Sequence, residues 1–306
     1  MNKKVSVIIP CYSKEMIEDI KEAINSVKIQ TYPPYEIIVA IDHNEELKKE
    51  LDTIDSIKVV LNTKKFGSTE TRNTGIRIAE GEIIAFIDDD AIADKNWLSN
   101  LIRHYDNSSV MAVGGKLISI WKNGRPFWFP RELDWLIGGT YKGHPQYTCE
   151  VRNLIWANMS FKKELCEQIG YIRTDMGAIG KKARAGDEVE YCLRMKHYNP
   201  DQKIIYEPRA IVFHKVLQHK STFIHLISCS FNHGISKGIS RKILKLYSKN
   251  TLSTENNYLQ YLLHRSILMR LKRLNHKNSL FQLSSIITSL VMFGTGYLCG
   301  ILKRSI

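Results

Sequence analysis

The first third of this chain predicts an α/β fold with a doubly wound, parallel sheet, and three observations carry that reading. Apolar runs of strand length recur at Val5 to Ile9, Glu36 to Ile41, Ile57 to Leu61 and Ile83 to Ile87. Stretches with helical spacing lie between them. Residues with chemistry to offer (Pro10 to Tyr12, Asp42, and Asp88 to Asp90) follow three of those runs, and such sheets bind ligands beyond the carboxyl ends of their strands.

The elements follow in order. Val5 to Ile9 is β-branched and ends at Pro10, with Ser13 placed to cap a helix. Ile17, Ile20, Ile24 and Val27 then recur at spacings of three and four, the stripe of a helix lying on a sheet. After the second and third runs, Thr69 to Ala79 reads as a helix closed by Gly81. Strands alternating with helices imply parallel pairing. From Val110 to His214 the pattern loosens into short strands and aromatic loops, including the apolar loop Trp128 to Trp135 and a helix from about Asp187 to Met195.

Two basic amphipathic segments come next. Ile227, Phe231, Ile235, Ile239 and Ile243 fall every fourth residue among Lys237, Arg241, Lys242 and Lys245. Leu259, Leu263, Ile267, Leu271 and Leu274 repeat the pattern with Arg265, Arg270, Lys272 and Arg273. Helices of this kind lie in a membrane interface, although a solvated face packed on the main domain gives the same spacing. Leu280 to Leu302 then runs without a charge, and as a helix of about 23 residues it spans roughly 35 Å, enough for a hydrocarbon core of about 30 Å. A core helix would be shorter and would show a polar face. Lys and Arg crowd the stretch from Arg241 to Lys277, against Lys303 and Arg304 beyond, so the main domain is expected on the cytoplasmic side of a single-pass C-terminal anchor. Gly296 and Gly300 form a small-xxx-small pair, one way to seat a homodimer. The expected organisation is a domain over 1–214, interface helices over 215–278 and a transmembrane segment over 279–306.

Composition narrows the function. The 306 residues are 43% hydrophobic and 25% charged, as in globular proteins. The net charge of +13 arises entirely after His214, so a protein that coats nucleic acid is disfavoured: its basic surface would run through the folded domain. An anionic membrane surface suits such a tail better. Six cysteines without a CxxC pair exclude a zinc module or a secreted disulfide framework and imply reduced thiols. The opening Met-Asn-Lys-Lys, with only a handful of apolar residues before Pro10, is too short for a signal-peptide core.

The chemistry begins at Asp88-Asp89-Asp90. Like charges about 4 Å apart repel by roughly 4 kcal/mol even at an effective dielectric near 20. A triple carboxylate at a strand end therefore calls for a cation or a set of donors, unless it is an exposed turn capping the next helix near Asp94. Magnesium characteristically uses one or two carboxylates plus phosphate oxygens. Upstream, Gly67 to Gly75 opens a helix whose first amides can face an anion, with Arg72 on that side.

Four segments together (VSVIIPCYS at Val5 to Ser13, IVAID at Ile38 to Asp42, Arg72-Asn73-Thr74-Gly75, and AEGEIIAFIDDD at Ala79 to Asp90) resemble the nucleotide-sugar half of the family 2 inverting glycosyltransferases, which have the GT-A fold. The resemblance implies that Pro10, Tyr12 and Asp42 surround the nucleobase. It sets Arg72 near the base or diphosphate and Asp88 near the ribose, with Asp89 beside it. It puts Asp90 on a Mg²⁺ or Mn²⁺ that bridges the diphosphate, with His214 often completing the metal site. Asn158-Met159-Ser160-Phe161 resembles the acceptor-side segment, which usually has glycine where this chain has Trp156-Ala157. Gly186 to Arg194 resembles the Gly-Glu-Asp-x-Asp-Leu-x-x-Arg helix start with its two acids exchanged. Glu188 thus occupies the position of the general base, and Asp187 keeps a claim to it. Read from the residues alone, the pair also fits acids that complement a helix dipole.

Glu132 to Gly139, Val151-Arg152-Asn153 and Asn232 to Lys237 are similar to archaeal dolichyl-phosphate-linked glycan glycosyltransferases of the glucosyl-dolichyl-phosphate glucuronosyltransferase type. Trp135 is then expected on the acceptor side, or as an aromatic lid on the domain. The resemblance implies transfer from a nucleotide sugar, of UDP type, to a dolichyl- or polyprenyl-linked saccharide. Transfer to the lipid phosphate itself and capsule or cell-wall polysaccharide synthesis are the rival chemistries.

Overall fold

The computed structural model describes residues 3–176, 186–248, 251–273 and 275–302. Leu274, Lys303 and Arg304 lie outside the described residues. The chain divides into two compact units, 1–118 with 146–214, and 119–145 with 215–306.

The first unit starts with β1 (Val5–Cys11), α1 (Ile17–Lys28), β2 (Glu36–Asp42), α2 (Glu45–Leu51), β3 (Lys58–Asn62), α3 (Ser68–Ile78) and β4 (Ile83–Phe86). β5 (Ala91–Ala93), α4 (Trp97–Ile102), β6 (Val110–Trp121), β7 (Cys149–Glu150), β8 (Met159–Lys162), α5 (Leu165–Ile169), α6 (Asp187–Tyr198) and β9 (Lys203–Val216) follow. The sheet order is β3-β2-β1-β4-β8-β6-β9-β5, with β7 paired to β9. β1 pairs in parallel with β2 and β4, and β2 with β3. The four early strands are therefore the parallel sheet that the sequence predicts.

Both faces of β1 are covered, which is why it reads as an unbroken apolar run. Val5, Val7 and Ile9 enter one core with Ile20, Ile24 and Val27 of α1. Ile8 enters the other, with Ile38, Ile76 and Phe86. The predicted boundaries shift by a residue or two: Thr69 to Ala79 becomes Ser68–Ile78, and the helix from Asp187 runs on to Tyr198. Ser13 stands before a short 3₁₀ turn and makes no side-chain cap, and the helix after the aspartates starts at Trp97.

The second half of the sheet departs from expectation. β8 pairs antiparallel with β4 and β6, and β6 and β9 are 12 and 14 residues long instead of short. Gly114 and Gly115 interrupt the hydrophobic signal of β6 for a packing reason. A Cβ on Gly115 would overlap the Ala210 carbonyl, so the strands approach there as only glycine allows.

The second unit holds the loop around Trp128 to Trp135, α7 (Phe223–Leu244), α8 (Ser253–Tyr261), a π turn over Leu262–Ile267, α9 (Leu268–Leu271) and α10 (Lys277–Leu302). Its core joins Phe129, Leu133, Leu136 and Ile137 to Val216, Leu226, Leu262 and Ile286. Buried Glu132 receives Arg270 at 2.9 Å and the Ser266 hydroxyl at 3.0 Å, and Arg125 grips Asp134 with two nitrogens at 2.6 and 2.9 Å.

Within α10, Asn278–Leu302 is long and apolar enough to cross a membrane. Its glycine pair packs within the chain, on α7. A Cβ on Gly296 or Gly300 would overlap the Phe231 or Ile235 carbonyl, and a Cβ on Gly234 would overlap that of Phe293. The Ser230 and Ser289 hydroxyls share a 2.9 Å hydrogen bond along the same seam. The inward face of α7 is this row of small residues, Ser230, Gly234 and Gly238, while the Ile227 to Ile243 stripe lies beside it, partly exposed. Gly238→Leu should cost about 1–3 kcal/mol of stability through overpacking, read as a lower melting temperature of the detergent-solubilised protein.

Candidate functional site

The carboxyl ends of β1, β2 and β4 bring the first set of side chains together. Asp42 ends β2 and is buried. Its Oδ2 accepts the Gly67 amide at 2.9 Å, while Oδ1 accepts from Asn62 Nδ2 at 2.8 Å and lies 2.9 Å from His43 Nδ1. The carboxylate thus ties the strand end to the turn that opens α3. Pro10 is buried in β1, in register with Ala40 of β2. Tyr12 follows, a residue 62% exposed and open to a planar partner. Partial loss of water and then the charges of Asp89 and Asp90 push its phenol up.

The aspartates leave β4 in three directions. Asp88 is partly exposed and accepts from Arg72 Nη2 at 3.1 Å. Asp90 is buried with Oδ1 3.1 Å from His214 Nε2, because β5 and β9 pair with Ala91 opposite His214. Donor atoms of Asp88, Asp90 and His214 all lie within 4.8 Å of one another, a spacing that could hold one metal ion. Asp89 is not a member of that group. Burial, then the charges of Asp90 and Asp88, push its carboxyl well up, and its Oδ2 finds no hydrogen-bond partner among the described residues. Two carboxylates and an imidazole form a donor set that suits a divalent cation, and on that ground the residues fit a metal.

Asp187 and Glu188 open α6. Asp187 is buried, and its Oδ2 accepts from Trp156 Nε1 at 2.9 Å and from the Thr69 hydroxyl at 3.4 Å. Glu188 is partly exposed. Loss of water, the charge of Asp187 and a hydrogen bond with that neighbour push it up to about 8, against the pull of Arg72. Arg72 therefore lies between the two groups of acids. Its guanidinium bonds Asp88, acts on Glu188 and sits 5.5 Å over the Trp156 ring, and its Nε has no hydrogen-bond partner among the described residues.

Two further predicted residues have partners of their own. Asn158 is buried with its amide fully engaged: Oδ1 accepts from Trp97 Nε1 at 2.8 Å, and Nδ2 donates to the carbonyls of Ala210 at 2.9 Å and Lys116 at 3.1 Å. Trp135 belongs to the second unit, where its indole donates to Tyr258 Oη at 3.0 Å and the ring meets His233 edge-on. Thr69, Asn62 and Trp156 were not singled out as site residues. Thr69 stood inside the Gly67 to Gly75 segment, Trp156 only marked a departure from a pattern, and Asn62 gave no signal.

The model of the family described as Glycosyl transferase family 2 matches residues 6–170. A glucosyl-dolichyl phosphate glucuronosyltransferase of Haloferax volcanii is 32% identical over 99% of this chain and 98% of its own length. A UDP-Glc:alpha-D-GlcNAc-diphosphoundecaprenol beta-1,3-glucosyltransferase of Escherichia coli is 37% identical over 31% of this chain and 37% of its own. Among solved structures, a mannosyltransferase from Pyrobaculum calidifontis in complex with GDP-Man and Mn²⁺ superposes with a TM-score of 0.62 at 17% identity, covering 100% of this chain and 89% of the other. That likeness concerns the fold, a GT-A sheet.

Proposed function

The chain belongs to glycosyl transferase family 2 and is a glycosyltransferase, and from that premise we propose that it moves a sugar, with inversion, from a nucleotide donor to a hydroxyl of a dolichyl- or polyprenyl-linked saccharide. The observation that carries this reading is Arg72, whose guanidinium bonds Asp88 in the metal-capable cluster and stacks over Trp156, the residue that bonds Asp187 of the acid pair. The name of the Haloferax volcanii relative supports glucosyl-dolichyl phosphate as acceptor and a glucuronosyl group as the sugar moved, and a UDP-sugar as its carrier is part of the proposal.

In this proposal Pro10, Tyr12 and Asp42 form the nucleobase end of the site, with the exposed Tyr12 ring as the stacking surface. Arg72 offers its unengaged Nε toward the diphosphate while Nη2 holds Asp88 toward the ribose. Asp89, its buried carboxyl pushed up by loss of water and by its neighbours, stands behind them. Asp90 and His214, with Asp88, would hold Mg²⁺ or Mn²⁺. When bound, the cation supplies the charge that neutralises the departing diphosphate. Glu188 accepts the proton of the acceptor hydroxyl as the new glycosidic bond forms, and Asp187 stands beside it as the fixed member of the pair. Asn158, its amide consumed by the scaffold, holds the turn that carries Trp156. The basic residues of α7 to α9 would meet an anionic membrane surface, α10 would anchor the chain, and the catalytic unit would work at the cytoplasmic face.

The test incubates membranes carrying the protein with UDP- and GDP-sugars, extracts labelled lipid and determines its mass and anomeric configuration. A new lipid-linked saccharide of inverted configuration is expected. Label confined to a lipid that carries a single sugar would point to the lipid phosphate as acceptor. EDTA should reduce transfer to background and Mn²⁺ or Mg²⁺ should restore it; full turnover in chelator would remove Asp90 and His214 from their roles.

A further inference from the structure

Trp156 occupies a position that the proposed chemistry leaves without a task. It is a large aromatic where the resembling segment carries glycine, it is buried, and it touches both halves of the site. On one edge, Nε1 donates to Asp187 Oδ2 at 2.9 Å. An indole only donates, so that carboxylate oxygen serves as an acceptor and its direction is fixed. On its face, the Arg72 guanidinium lies 5.5 Å from the ring centroid, within the range of a cation–π contact. Phe86 meets the ring edge-on at 5.4 Å and Tyr191 lies 5.8 Å away, so the indole has little freedom to turn. Phe86 is the last residue of β4, two before Asp88. The Trp156 side chain is thus braced by the strand that delivers the aspartates and by the helix that delivers the acid pair.

We propose that Trp156 is a positioning residue of the transfer reaction: its N–H fixes Asp187 as a hydrogen-bond acceptor so that the acceptor proton passes to Glu188, and its ring seats Arg72 against Asp88. The inference deepens the glycosyltransferase reading given above and rests on it. The charged groups acting on Glu188 are Asp187 on its own helix and Arg72 from α3, with the Cys192 thiol one turn further along α6. Trp156 sets the place of the first two. Without its N–H, Asp187 loses a donor to its carboxylate, and the acid pair holds its shared proton more tightly.

Trp156→Phe keeps a ring under Arg72 and removes the N–H. Its kcat should fall, by up to about a hundred-fold if the pair moves by an ångström. The rising limb of its pH–rate profile should move to higher pH, while the KM for the nucleotide sugar and the calorimetric heat with UDP or GDP plus Mn²⁺ stay at parental values. Trp156→Leu removes the ring as well and should also raise the donor KM. A Trp156→Phe enzyme with parental kcat and pH profile overturns the proposal, and so does one that loses donor KM and kcat in equal measure. If Trp156→Phe loses its fold, Asp187→Asn carries the test. It should displace the pH limb with donor KM unchanged, and a parental profile there overturns the proposal. If both variants fold, the double variant should be no slower than the slower single one, since both act through one hydrogen bond. Additive losses contradict the coupling. Failure of the underlying reading looks different, because the unaltered protein would then label no lipid and give no heat with either diphosphate.

Discussion

Asp90→Ala should reduce sugar transfer by about a thousand-fold, equivalent to about 4 kcal/mol of lost stabilisation for the departing diphosphate. Asp90 is buried beside His214, so no exposed carboxylate can swing in to replace it. Asp88 is already engaged by Arg72, and Asp89 is not a member of the metal-capable group. Two measurements check the result: initial rates of label transfer, and titration calorimetry with UDP and GDP in the presence and absence of Mn²⁺. The variant should lose the Mn²⁺-dependent part of the heat and keep a folded spectrum. Transfer at parental rate would show that the cluster holds no metal that matters to turnover.

Glu188→Gln should have two effects of opposite sign. Transfer to a hydroxyl should fall by about 10²–10⁴-fold, the usual worth of a positioned proton acceptor. In the parent enzyme the rate should climb as pH rises through about 8, because only the ionised carboxylate can take the proton. That limb should vanish in the variant. Thermal stability should move the other way. The Glu188 carboxyl ionises near 4.5 in the unfolded chain but holds its proton to about 8 in the fold. Between those values the folded state binds more protons than the unfolded state, so raising the pH lowers stability. Glutamine removes that loss. The variant should melt at the parental temperature near pH 4 and above it at pH 8 to 9, as scanning calorimetry at the two pH values would reveal. An enzyme that keeps its rate after this substitution would be using an acceptor that is already anionic, as a lipid phosphate is.

The carboxyl-end chemistry of the early sheet was open to reading from the residues because its signals are local. Each of the first four strands is a contiguous apolar run, and the acids follow two of them without a gap. Asp187, Glu188 and His214 are implied by the family resemblance, and each lies in the first unit with the aspartates. What escaped was whatever depends on distant partners. The length of β6 was hidden by Gly114 and Gly115, whose purpose is the approach of Ala210, roughly a hundred residues on. For the loop carrying Glu132 and Trp135 the sequence offers an acceptor-side place or an aromatic lid on the domain, and it does not show that the charge is met by Arg270 and the indole by Tyr258. Trp156 was legible only as an oddity, since an indole packing in a core and an indole holding a carboxylate leave the same letter in the sequence.

The row of small residues on α7 has a practical consequence for anyone who trims this protein to make it tractable. Removing the apolar tail before Lys277 would strip α7 of the partner shaped to it and lay bare a backbone strip of Ser230, Gly234 and Gly238 with no side chains to shield it. Such a fragment would trade one sticky surface for another and aggregate. The two helices should be kept or discarded as a pair.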